Sequence, residues 1–169
     1  MALWNLRLEL EAKIEDVKSE TVTGPFHTFY DPMKAIYDEL MAKHGGNLKK
    51  VRAYTPKVNY VIGNLPPHIK EVLRATTETL LFSADGFAKQ LNHHPDLTTK
   101  EYADVFDKLK DCKEVYEGKD ARIALIVKDD RYYAVLIKTT RSKTENYLVS
   151  LHRLDKDSLG VFRKLKRIY

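Results

Sequence analysis

Between Arg122 and Arg153 the chain reads RIALIVKDDRYYAVLIKTTRSKTENYLVSLHR, three apolar runs separated by two charged links. Ile123 to Val127, Tyr132 to Ile137 and Tyr147 to Leu151 are each five or six residues long. They are rich in β-branched and aromatic side chains, the composition of strands. Asp129-Asp130 lies in the first link and Arg141-Ser142-Lys143 in the second. A parallel return needs a crossover of a dozen residues or more, so links this short impose antiparallel neighbours. The stretch therefore predicts a three-stranded meander, and whatever else the chain does must cover its apolar side.

Side chains alternate along a strand, which gives the meander two unequal faces. One carries Ile123, Leu125, Val127, Tyr133, Val135, Ile137, Tyr147, Val149 and Leu151, and should lie under helices. The other carries Ala124, Ile126, Ala134, Leu136, Lys138, Thr140, Leu148, Ser150 and His152. With a symmetric hairpin register, Lys138 falls within about two residues of Ser150 across the ladder. A polar site can sit there, although a solvated sheet face is the plain alternative for Lys138, Thr140 and Ser150.

Composition sets the wider limits. A chain of 169 residues with 43% hydrophobic and 31% charged side chains is one globular domain of ordinary size, with a possible appended arm. Ten Tyr and six Phe argue against disorder. No apolar run approaches the roughly 18 residues of a membrane span, and the N-terminus lacks a signal-peptide pattern. The single Cys112 rules out an internal disulfide and suits a reducing, cytoplasmic setting. Net charge is +5 with a pI near 9.1, a modest basic bias that fits a polyanionic partner without requiring one.

Taken in order, Leu3 to Lys18 fits both a strand alternation through Leu6, Leu8 and Leu10 and a helix seam through Leu3, Leu6, Leu10, Ile14 and Val17; the helix is favoured, and residues 3–17 could pair with a second copy. Gly24-Pro25 and Asp31-Pro32 mark a linker, with Asp31 capping a helix that opens at Pro32 and runs from Met33 to Lys43. Lys49, Lys50, Arg52 and Lys57 form a basic patch interleaved with Tyr54 and Tyr60, which could contact nucleic-acid phosphates and bases, although a plain solvated loop is the favoured reading. A helix is expected from His68 to about Glu78, a short strand at Leu80 to Phe82, and a helix capped by Ser83 that ends at His93-His94 before Pro95. Thr98 or Thr99 caps the next helix, and Leu154 to Tyr169 reads as a last one with Leu159, Phe162 and Leu165 inward. The domain reading is a helical arm over 1–20, a linker and helix over 21–60, and an α+β domain over 61–169. Its helices would pack on one face of a small antiparallel sheet, the meander plus one short strand.

The chain has no Gly-rich phosphate loop, no His-Glu-x-x-His, no Cys-x-x-Cys and no Gly-x-Ser-x-Gly. Neither a metal nor a cofactor is expected, since His93-His94 with Asp96 lacks a second ligand cluster. The remaining chemistry is metal-free: His94 at a helix end, Lys138 and Thr140 at a strand end, Ser150 and His152 on the next strand. Histidine titrates near neutrality and can move a proton. Lysine can neutralise charge growing on a phosphate, and hydroxyls can orient it.

The segments LLFSADGFAKQLNHHPDLTTKEY and RIALIVKDDRYYAVLIKTTRSKTENYLVSLHR resemble the barnase–EndoU–colicin–RelE nuclease superfamily, particularly its phage- and prophage-associated branch. The resemblance covers roughly residues 80–153, under half the chain. It implies an α+β fold with the active site on the uncovered sheet face, and a metal-independent, toxin-like endoribonuclease. By position it implies His94 as acid/base, Lys138 and Thr140 as the strand-end pair, and Ser150 as the third-strand hydroxyl; His152 is added on geometry. RNA and an immunity or antitoxin protein are the partners this implies; Lys49, Lys50, Arg52 and Arg141 are read from the residues themselves as nucleic-acid contacts, and no membrane partner is expected. Two other readings stand beside it: a non-catalytic phage or prophage structural or adaptor protein assembling through residues 3–17, and a nucleic-acid-binding module.

Overall fold

The structure, a computed structural model, describes residues 20–169. The seam at residues 3–17, and with it the expected self-association, lies outside the described residues. The described chain forms seven strands: β1 (Glu20–Val22), β2 (Val58–Asn64), β3 (Thr79–Ser83), β4 (Val115–Glu117), β5 (Ile123–Lys128), β6 (Tyr132–Thr139) and β7 (Asn146–Leu154). Its six α-helices are α1 (His27–Lys43), α2 (Leu48–Tyr54), α3 (Pro67–Leu73), α4 (Ala84–His93), α5 (Thr99–Lys108) and α6 (Lys156–Arg163). The α+β class holds, but the sheet is neither small nor purely antiparallel. The meander is one part of a seven-stranded mixed sheet ordered β1-β2-β3-β7-β6-β5-β4. The parallel pairs β1–β2 and β3–β7 join segments far apart in sequence, and no local pattern announces such a pairing.

The described residues divide into two compact units, 20–61 with 82–95 and 62–81 with 96–169. In the first, Phe26, Phe29, Tyr30, Tyr60, Phe82 and Phe87 form one aromatic cluster, for example with Phe26 and Tyr60 centroids 5.3 Å apart. That cluster explains why α1 opens at His27 and runs through Pro32 rather than starting there. Burying Phe29 and Tyr30 against the other rings outweighs one lost backbone hydrogen bond near the helix start. Asp31 is consequently an internal helix residue and not a cap. Residues 48–54, read as a loop, are helical: the Asn47 side chain accepts from the Lys50 N–H at 3.2 Å and caps α2. Ser83 caps α4 as expected, its Oγ accepting from the Gly86 N–H at 2.9 Å.

In the second unit, α3 stops at Arg74, whose φ of 55° is left-handed, and so is shorter than the expected run to Glu78. Asn146, fully buried, donates from Nδ2 to the carbonyls of Thr77 (2.8 Å) and Thr79 (3.1 Å) and accepts from Thr139 Oγ1 (2.8 Å). One amide thus ties the start of β3 to β7 and β6. The β5–β6–β7 meander forms as expected, with Ile126 opposite Ala134 and Ala134 opposite His152. Thr98 and Glu101 complete a capping box at the start of α5. Tyr102 and Val105 of α5 are buried.

Two further features depart from the sequence reading. β7 carries a bulge: Leu136 pairs with Ser150 but Ile137 pairs with Leu148, leaving Val149 unmatched. The extra residue reverses the faces of β7 below it, so Leu148 turns inward (2% exposed) and Tyr147 comes opposite Lys138. The expected assignment of Tyr147 to the packed face and Leu148 to the open one is therefore inverted. The last helix, α6, ends at Arg163 instead of reaching Tyr169. Beyond it the chain extends along β4, with Val115 N–H donating to the Tyr169 carbonyl and Ile168 N–H to the Val115 carbonyl, both at 2.9 Å. No helix among the described residues is long and apolar enough to cross a membrane.

Candidate active site on the Lys138 face

The pairing register puts Ala134, Leu136 and Lys138 of β6 on one face, together with their partners His152, Ser150 and Tyr147 on β7. This face is not uniformly open. At the Leu154 end, Tyr116, Ile126, Ala134 and Leu154 pack with Leu159 of α6, and Phe162 leans on the same cluster. The Asp155–Ser158 capping box fixes where α6 begins, one residue after β7 ends. Helix α6 thus folds back over the face that the sequence reading left wholly uncovered. At the other end Lys138 is exposed, with Tyr147 directly across the ladder.

Between the two ends lies a hydrogen-bonded pair. Ser150 Oγ and His152 Nδ1 are 3.3 Å apart, and the His152 ring sits 5.9 Å from that of Phe162. Both side chains are half-buried. A hydroxyl at Nδ1 helps to orient the imidazole ring. The Tyr147 hydroxyl donates to Glu145 Oε2 at 3.0 Å.

The other expected site residues fall elsewhere. Thr140 lies just past β6, where its Oγ1 accepts from the Glu145 N–H at 3.2 Å and its own N–H donates to the Glu145 carbonyl at 2.9 Å. It closes the β6–β7 link. Arg141 is exposed in that link. His94 is the C-cap of α4, half-buried, with its N–H donating to the Gln90 carbonyl at 2.8 Å, whereas His93 is exposed. His94 belongs to the first unit, and Lys138, Thr140, Ser150 and His152 to the second. Of the expected nucleic-acid contacts, Lys49 and Lys50 are exposed on α2. Arg52 is engaged by Asp85, with Nε–Oδ1 and Nη2–Oδ2 both at 2.8 Å. Tyr60 is buried, and its hydroxyl donates to the Gly24 carbonyl at 2.6 Å.

The opposite face of the sheet holds charges that the sequence reading passed over. Arg153 donates from Nε to Glu101 Oε2 at 2.7 Å, and its Nη atoms reach Glu101 Oε1 and Asp96. Tyr133 donates its hydroxyl to the same Glu101 Oε2, also at 2.7 Å. The Arg153 guanidinium, helped by Tyr133 and the Thr98 N–H, holds the Glu101 carboxyl down to about 2. Burial, reinforced by the Glu101 carboxylate, pushes the Tyr133 phenol up to about 12. These groups bolt α5 to β6 and β7, and their hydrogen-bonding capacity is spent on each other.

Tyr147 is the site residue that alternation alone misplaces. The signal was available as three consecutive apolar residues, Tyr147-Leu148-Val149, which break strict alternation where a bulge would restore it. No group of three or more His, Cys, Asp or Glu side chains among the described residues is placed to hold a metal ion. No family profile matches this chain, and no curated protein or solved structure does either.

Proposed function

We propose that this chain is a metal-independent endoribonuclease of toxin type, cutting RNA by attack of a 2′-hydroxyl on the adjacent phosphate. The observation that carries the reading is the company Lys138 keeps. An exposed ammonium group shares one sheet face with the Ser150–His152 pair, separated from it along β6 only by Leu136. In this reading His152, oriented by Ser150, takes the proton of the 2′-hydroxyl as that oxygen bonds to phosphorus. Lys138 stabilises the extra negative charge on the non-bridging oxygens. The bond to the 5′-oxygen then breaks, water protonates that oxygen, and a 2′,3′-cyclic phosphate remains. Tyr147 offers a ring beside Lys138 against which a base can lie.

The resemblance to the barnase–EndoU–colicin–RelE superfamily gives the acid/base role to His94, so the test replaces both imidazoles. Purified chain is incubated with RNA in EDTA buffer beside Lys138→Ala, His152→Ala and His94→Ala, with folding followed by circular dichroism. Cleavage that drops by roughly 10²-fold or more in Lys138→Ala and His152→Ala supports the site described. A drop in His94→Ala with His152→Ala unaffected moves the proton-transfer role to His94. RNA left intact by the wild-type chain overturns the reading. A non-cleaving nucleic-acid-binding module is the second reading, favoured by the acid-free basic segment around α2.

A further inference from the structure

We infer that α2 carries a separate binding site for single-stranded RNA, in which one base stacks on Tyr54 and the adjoining phosphates run along Lys49, Lys50 and Lys57. The choice of RNA over other polyanions rests on the ribonuclease reading; the geometry of the site does not. Tyr54 is the largest exposed ring near α2, with 57% of its surface in solvent. Its ring lies 4.9 Å from that of His44 and only 5° from parallel. One face of the phenol is therefore covered by the imidazole while the other is open, which makes a two-layer platform with room for a third planar group.

The platform is held rigidly. Val51, at 0% exposure, pins α2 into the first unit, and Asn47 caps its start. Arg52 is committed to Asp85 and is not free to reach a phosphate. The lysines differ. Lys50 precedes Tyr54 by one helical turn and shares its side of the helix. Lys49, Lys50 and Lys57 are all exposed, and no carboxylate of the described residues pairs with them. From Ala42 to Val58 the sequence contains Lys43, Lys49, Lys50, Arg52 and Lys57 but no Asp or Glu.

Two properties select the ligand. A flat stack accepts the face of any base, and a duplex hides those faces, so the strand must be single. Lysines without acidic neighbours attract phosphates by counterion release. An acidic peptide would satisfy the lysines but would leave the open ring face unused.

The test is fluorescence anisotropy of the full chain with a labelled oligoribonucleotide of about 10 nucleotides, 2′-O-methylated throughout so that it cannot be cut by the proposed chemistry. Tyr54→Ala should weaken binding by roughly 5- to 100-fold, the loss of one stacked base, while Tyr54→Phe keeps wild-type affinity. Lys49→Gln with Lys50→Gln should lower the slope of log affinity against log salt by about 1.4, near 0.7 per removed charge. Circular dichroism checks each fold; if Tyr54→Ala unfolds, the lysine pair and Tyr54→Trp decide, the tryptophan being expected to bind at least as tightly. Unchanged affinity and salt slope in the lysine pair, or polyglutamate competing as well as the oligonucleotide, overturns the site. Oligonucleotide binding with these changes but no RNA cleavage keeps the site and removes the ribonuclease reading. Cleavage of RNA with wild-type binding by Tyr54→Ala does the reverse.

Discussion

At one end of the Lys138 face, Ile126, Ala134 and Leu154 lie under Leu159 and Phe162; at the other, Lys138 stands exposed with Tyr147 across the ladder. The same three strands and the same alternation produce both ends. What separates them is a helix that starts at Lys156, one capping residue after β7, and packs back over one end. Its cover stops near His152, whose ring touches Phe162 on one side while its Nδ1 meets Ser150 on the other. The contrast teaches that apolar burial can fix the geometry of a polar pair without occupying it. A stability role belongs to the covered end, and chemistry, in the proposed reading, to the open one.

The largest expected effect tests the open end. Lys138→Ala should cut RNA cleavage by about 10²–10³-fold while moving the unfolding free energy by less than about 0.5 kcal/mol, since the side chain is exposed. A large loss of stability would mean that the two ends are not distinct. Leu159→Ala sharpens the comparison from the covered end. Leu159 is only 7% exposed, and its truncation should cost about 3 kcal/mol in urea unfolding. Cleavage per folded molecule should fall less than in Lys138→Ala.

Glu101→Gln probes the far face, where charges serve packing. It removes the ionised acceptor shared by Arg153 and Tyr133, and a loss of about 2 kcal/mol is expected with cleavage per folded molecule unchanged. The same carboxyl sets an acid limit. Its folded pKa is depressed from 4.5 to about 2, so its contribution is fully present above the unfolded value. It fades as pH falls from about 4.5 toward 2. Acid titration of unfolding should show that slope in the wild type and a shallower one in Glu101→Gln. The smallest change is expected from Thr140→Ala, about 0.5–1 kcal/mol for the turn hydrogen bonds to Glu145, with cleavage nearly intact. A collapse of activity there would return Thr140 to the site.

The sequence made some of this legible and hid the rest for identifiable reasons. β5, β6 and β7 could be read because period-two runs and charged links are local signals. The cap at Ser83 is legible on the same ground, and that at Thr98 only as one of two adjacent threonines. The parallel pairings of β1 with β2 and β3 with β7 were not, because strand order is decided by contacts between distant segments. Pro32 reads as a helix start, yet tertiary packing of Phe29 and Tyr30 carries the helix through it. Lys138, Ser150 and His152 were placed on one face by alternation alone, and they share it. Tyr147 and Leu148 were exchanged because a single unmatched residue, Val149, shifts the register. Leu159 and Phe162 could be recognised as inward-facing, but periodicity does not say which side of a sheet a helix will choose.

The extended segment after Arg163 has a consequence for how the molecule behaves in a crowd. By bonding Lys166, Ile168 and Tyr169 to Val115 and Glu117, and stacking Tyr169 on His68 at 3.9 Å, it occupies the row of amide and carbonyl groups that β4 would otherwise present. An uncapped strand of that kind recruits strands from other molecules. Clipping the last six residues should therefore bare the β4 edge, visible as concentration-dependent association in light scattering.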